Sequence, residues 1–127
     1  MYTRLQQSSR PAGGIAIVGP CAAGKTTLAR GLQALGHPAR RIAQEHSYVP
    51  DMWQRLTRPD VLVFLDASYE NCTSRKRLNW TPAEYEEQRQ RLDHARSHCD
   101  VYINSDALTV DEVLHEAVRA LSGRAGG

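Results

Sequence analysis

Residues 15–26 read Ile15-Ala16-Ile17-Val18-Gly19-Pro20-Cys21-Ala22-Ala23-Gly24-Lys25-Thr26, and this stretch decides the fold. Its second part matches the phosphate-binding pattern G-x-x-x-x-G-K-[ST]. The apolar run before it reads as a buried strand, and residues 27–35 after it read as a helix closed by Gly36. Strand, glycine turn and helix in that order gather backbone N–H groups and a helix N-terminus around one anion. Gly19, Ala22, Ala23, Gly24, Lys25, Thr26 and Thr27 are then the expected nucleotide contacts. Lys25 would reach the β- and γ-phosphates, and the Thr26 hydroxyl would ligate Mg²⁺. The competing reading is a glycine turn of purely structural use.

Working outward, 127 residues suit a single domain spanning residues 1–127. A hydrophobic content of 41% with only 6% aromatics implies a globular fold with an aliphatic core. A formal charge of +2 is too small to argue for nucleic acid or an anionic membrane. Lys25 and Lys76 are the only lysines, which sets the loop lysine apart. Cys21, Cys72 and Cys99 have no metal-type spacing, so a reducing cytoplasm is expected. No apolar stretch approaches the roughly 20 residues of a membrane span, and no signal peptide is expected. Residues 1–14 and 122–127 read as flexible tails.

Between the tails, short apolar runs alternate with helical patterns, the signature of βαβ units. Strands are expected at 39–44, 61–65 and 100–104, and a short helix or turn at 51–56. Ser68 caps a helix to about residue 77, in line with the preference for Ser at that position. Thr81-Pro82-Ala83-Glu84 opens a helix to His98 with a capping box and an N1 proline. A second box, Thr109 to Glu112, precedes an apolar stripe of Val110, Val113, Leu114, Ala117, Val118 and Leu121. Right-handed crossovers then give a three-layer αβα sandwich on a short parallel sheet, a P-loop NTPase fold.

These segments together resemble the P-loop kinases of small molecules, the nucleoside, nucleoside monophosphate and shikimate kinases. The loop with its strand carries the likeness first. Arg58-Pro59-Asp60-Val61-Leu62-Val63-Phe64-Leu65-Asp66-Ala67-Ser68 is similar to a strand and helix cap of thymidylate and deoxynucleoside kinases. The stretch Cys99-Asp100-Val101-Tyr102-Ile103-Asn104-Ser105-Asp106 is similar to their last strand and adenine-side loop. The resemblance implies that Arg75 and Arg77, at the start of the lid, act on the transferring phosphoryl group, and that Glu45 serves as base or metal-linked group. The chain departs from the family in two places. Residues 46–57 are too short for a substrate-binding insert plus another strand, and the lid is clipped to Leu78-Asn79-Trp80. A pared-down form with four parallel strands is expected.

Two carboxylates compete for the metal and base roles. Asp66 ends five apolar residues and so matches a Walker B pattern, while Glu45 follows the second strand at the sheet edge where ligands bind. His46, Tyr48, Asp51 and Trp53 lie close together after that strand and could line an acceptor pocket, or else plug the sheet edge. His94 and His98, at i and i+4, would suit a metal but lack a third ligand. Asn104-Ser105-Asp106 lacks the lysine of a guanine-reading motif, which disfavours GTPase specificity.

The expected activity is ATP- and Mg²⁺-dependent kinase chemistry, with Lys25, Glu45, Arg75 and Arg77 catalytic and Thr26 and Asp66 on the metal. The acceptor would be a nucleoside-like small molecule. The alternative is a non-catalytic or weakly hydrolytic nucleotide-binding module acting through a partner. A homodimer is left open, because a second copy could cover a short sheet's edge.

Overall fold

A computed structural model of the chain describes residues 14–76 and 81–126. The elements run β1 (Ile15–Val18), α1 (Lys25–Ala34), β2 (Ala39–Arg41), a 3₁₀ turn (Gln44–His46), α2 (Met52–Thr57), β3 (Val61–Asp66), α3 (Tyr69–Lys76), α4 (Pro82–His98), β4 (Val101–Asn104) and α5 (Val110–Gly126). The four strands form one all-parallel sheet in the order β2-β1-β3-β4.

Alternation along the central strands divides the core. Ile15, Ile17, Val63 and Leu65 pack with Leu28 and Leu32 of α1 and with Val113, Ala117 and Leu121 of α5. Ala16, Val18, Leu62 and Phe64 pack on the opposite face with Trp53 of α2 and with Leu92 and Ala95 of α4. A parallel sheet covered on both faces needs apolar residues at every position of its inner strands. That is why β1 is buried along its whole length. The result is an α/β domain with helices on both sides of the sheet.

Both capping boxes form. Thr81 Oγ1 accepts the Glu84 N–H at 3.2 Å while Glu84 Oε1 accepts the Thr81 N–H at 2.9 Å. Thr109 and Glu112 do the same at 3.1 and 2.8 Å. Ser68 Oγ accepts the Asn71 N–H at 3.2 Å at the start of α3.

Several boundaries differ from the sequence expectation. β2 stops at Arg41, although Ile42 still donates to Ile17 O at 2.8 Å. The chain then turns around the fully buried Gln44. Its Nε2 donates to Val49 O at 2.8 Å and Arg91 O at 3.3 Å, and its Oε1 accepts the Trp53 N–H at 2.8 Å. α1 begins at Lys25, because Gly24 takes the N-cap position with φ +104°. Gly14, assigned to the flexible lead-in, belongs to the fold: its carbonyl accepts the Asp60 N–H at 2.9 Å, and a Cβ there would lie 2.4 Å from Pro38 O. α5 runs on to Gly126, through a stretch expected to fray, since extending an established helix adds one hydrogen bond per residue ordered. Among the described residues, no helix is long and apolar enough to cross a membrane.

Candidate functional site

The ends of β1, β2 and β3 bring three features to one edge of the sheet: the 19–26 loop, Glu45 and Asp66. The loop is held by backbone contacts that side chains would forbid. At Gly19, φ +156°, an added Cβ would fall 1.9 Å from Leu65 O. Ala22 sits in the left-handed region at φ +71°, a strained position for a residue with a Cβ.

Lys25 is 5% exposed, and its ammonium donates to Gly19 O at 2.7 Å, Pro20 O at 3.0 Å and Glu45 Oε2 at 2.9 Å. Those three bonds use all its donors. Glu45 is equally enclosed, and its Oε1 is the one buried side-chain polar atom among the described residues without a hydrogen-bond partner. No acidic residue or capping side chain covers the first turn of α1. Its N-terminus, where Thr26 and Thr27 are exposed, therefore keeps its partial positive charge open to solvent.

Asp66 is placed differently. Its Oδ1 accepts from Arg89 Nη1 and the Ala67 N–H, each at 2.9 Å, and its Oδ2 accepts from Arg89 Nη2 at 3.3 Å and the Tyr102 hydroxyl at 2.6 Å. Burial pushes this carboxyl up, but the hydrogen bonds of Arg89 and Tyr102, the Arg89 charge and the Ala67 amide together hold it below its ordinary value. Arg89 is shifted upward in turn, first by its hydrogen bond to Asp66. Both oxygens of Asp66 are thus saturated, which leaves none open for the metal expected from the sequence. Asp66 instead anchors α4 and β4 to the end of β3.

The expected acceptor residues separate. His46 lies beside the ion pair, its Nε2 3.8 Å from Glu45 Oε2, with the side chain 59% exposed. Tyr48 is exposed, with the Arg91 guanidinium 4.5 Å above its ring. Asp51 turns along α2 to accept from Arg55 Nε at 2.9 Å. Trp53 is buried in the core, and its indole N–H donates to His94 Nδ1 at 3.2 Å. Trp53 therefore offers no exposed ring beside the loop. The His94 and His98 rings stack at 4.2 Å, and among the described residues no group of three or more His, Cys, Asp or Glu could hold a metal ion. The side chain of Arg75 on α3 is not described, and Arg77 lies outside the described residues. A depression of about 760 Å³, lined by Trp53, Arg55, Arg58, Asp60, His98 and Asp100, opens at the other end of the sheet, away from the loop.

Sequence reasoning missed the role of α4. Gln88 Oε1 accepts the Cys21 N–H of the loop at 3.0 Å, Arg89 holds Asp66, and Arg91 Nη1 donates to Glu45 O at 3.3 Å. Tyr85 joins them, accepting from Arg89 Nη1 at 2.8 Å and donating to Ala67 O at 2.6 Å. One signal was readable: Gln88, Leu92 and Ala95 fall at i, i+4 and i+7, which puts a glutamine on the buried stripe.

Compared with protein-family models, the chain matches none, and no curated protein matches it significantly.

Proposed function

We propose that this protein binds Mg²⁺-ATP on the 19–26 loop of a P-loop NTPase fold and transfers the γ-phosphoryl group to a small nucleoside-like acceptor. The observation that carries the reading is Lys25. An ammonium nine-tenths buried, held between loop carbonyls and a buried carboxylate at the open N-terminus of a helix, suits a phosphate chain that would take over its hydrogen bonds. The resemblance to small-molecule kinases supports the same assignment.

Mg²⁺ in such sites keeps several waters and takes few protein ligands, so the absence of a three-residue cluster among the described residues is no obstacle. When bound, the ion would neutralise developing phosphate charge. The Thr26 hydroxyl fits it. Of the two carboxylates, Glu45 fits and Asp66 does not, since Glu45 Oε1 lacks a donor and Asp66 lacks an open lone pair. An acceptor hydroxyl or a metal-bound water would supply that donor. Three free cysteines suit the reducing cytoplasm, where we place the protein.

Calorimetric titration of Mg²⁺-ATP tests the binding step, with Lys25→Met as the control. Saturable binding in the wild type, weakened at least about tenfold in the folded variant, supports the loop reading. No wild-type binding overturns it. Transfer is tested by ATP consumption across a panel of hydroxyl and phosphate acceptors.

A second reading has its own support. Lys25 already has a full set of partners, and the sizeable depression lies away from the loop. A nucleotide-binding module with little turnover accounts for both. Tight ATP binding without acceptor-dependent turnover would select it.

A further inference from the structure

Gln88 is 5% exposed and occupies a stripe position of α4 that an apolar residue would ordinarily fill. Its Oε1 accepts the Cys21 N–H at 3.0 Å, which engages only one end of the carboxamide. The Nε2 carries two more donors and has no hydrogen-bond partner among the described residues. Among the described residues, Glu45 Oε1 is the one sealed side-chain polar atom left unpaired, so the Gln88 amide nitrogen is not sealed from solvent.

Two other donors of the loop are already engaged within the fold, while the first turn of α1 stays uncapped. The Ala23 N–H goes to Pro20 O at 3.2 Å, and Lys25 is engaged three times. Next to Gln88 on α4, Arg89 is committed to Asp66 and Tyr85. Arg91 is committed to Glu45 O and lies over Tyr48. Gln88 is thus the side chain of α4 that both touches the loop and has donors to spare. An amide held at its oxygen and open to solvent at its nitrogen keeps two donors available to a ligand beside the loop.

We infer that Gln88 is a phosphate-reading residue: its oxygen stays on the Cys21 N–H and fixes the loop, while its NH₂ group donates to a phosphate oxygen of the nucleotide held there. This rests on the phosphate-loop reading above. It makes α4 part of the nucleotide site, although none of its residues belongs to the loop motif.

The direct test is the Gln88 side-chain NH₂ resonance pair in ¹⁵N-labelled protein, identified by its absence from the spectrum of Gln88→Glu. Adding Mg²⁺-ATP should move that pair downfield and slow its exchange with water. A pair that stays in place while nucleotide is bound overturns the inference. Two variants separate donor from scaffold. Gln88→Glu keeps an acceptor for the Cys21 N–H but loses the donor, and Gln88→Met fills the same volume with neither. Mg²⁺-ATP affinity should fall about ten- to a hundredfold in the Glu variant, with its melting temperature near that of the wild type. The Met variant should lose less affinity and more stability. If Glu instead restores wild-type affinity where Met does not, Gln88 only braces the loop and the inference fails. Absence of Mg²⁺-ATP binding by the wild type would remove the loop reading and this inference together. Normal binding with an unmoved resonance would remove this inference alone.

Discussion

Lys25 Nζ lies 2.9 Å from Glu45 Oε2, with the two side chains only 5% and 3% exposed. The pair joins the first turn of α1 to the turn after β2, so the 19–26 loop and the neighbouring strand end are held by one buried ionic contact. Removing one member leaves the other charged and enclosed.

That asymmetry sets the first prediction. Lys25→Met should cost about 3–5 kcal/mol, because an unpaired buried carboxylate remains. The double variant Lys25→Met/Glu45→Leu should recover most of that loss. A urea-denaturation cycle over the four proteins measures the coupling, and a value under about 0.5 kcal/mol would mean the two residues act independently. The cycle also separates lost nucleotide binding from lost folding in Lys25 variants.

Asp66 predicts a particular acid limb. Its folded pKa is depressed, since the Arg89 and Tyr102 hydrogen bonds and the Arg89 charge outweigh burial. A depressed carboxyl contributes stability that is fully present above its unfolded value of about 3.9 and is lost as pH falls through the folded value. Denaturation midpoints of the wild type should therefore drop more steeply below pH 4 than those of Asp66→Asn. Parallel acid limbs would contradict this account. Tyr102→Phe, which removes one donor to Asp66, should cost about 0.5–1.5 kcal/mol and flatten the same limb in part.

Two loop residues should respond in opposite directions. Ala22 holds φ +71°, where a Cβ is unfavourable, so Ala22→Gly should be neutral or stabilising by up to about 1 kcal/mol. Gly19→Ala would drive a methyl group to 1.9 Å from Leu65 O, and backbone must move to admit it. We expect a loss of at least about 3 kcal/mol and a displaced loop. Thermal melts of both variants test the contrast, and a stable Gly19→Ala protein would refute the close approach of loop and β3.

The Thr81–Glu84 capping box secures the start of α4, whose next turns carry Gln88, Arg89 and Arg91. Thr81→Ala should cost about 1 kcal/mol. Amide exchange should rise in the first turns of α4 and, through Gln88, at Cys21. An increase confined to residues 81–84 would show that the cap is not coupled to the loop.

Much of the fold could be read locally. The alternation in Ile15-Ala16-Ile17-Val18, the run Val61-Leu62-Val63-Phe64-Leu65 and both T-x-x-E boxes act over one strand pleat or one helical turn. Interactions that short are written in the order of neighbouring residues, and so were the four strands and most helix starts. β2 came out shorter than the expected 39–44, because Gln44 turned its amide to distant carbonyls in place of the sheet ladder.

The site shows the same division. The strand–turn–helix at Gly19 to Thr26 was legible because the spacing of its glycines after an apolar run marks a sharp turn into a helix. Tertiary structure alone assigned the carboxylates: Asp66 to Arg89, 23 residues away, and Glu45 to Lys25, 20 residues away. It alone brought Gln88 to Cys21 across 67 residues, and sank Trp53 into the core. Periodicity reports which face of an element is buried. It carries no information on which side chain from another element will meet that face, and for buried charges and amides the partner decides the chemistry.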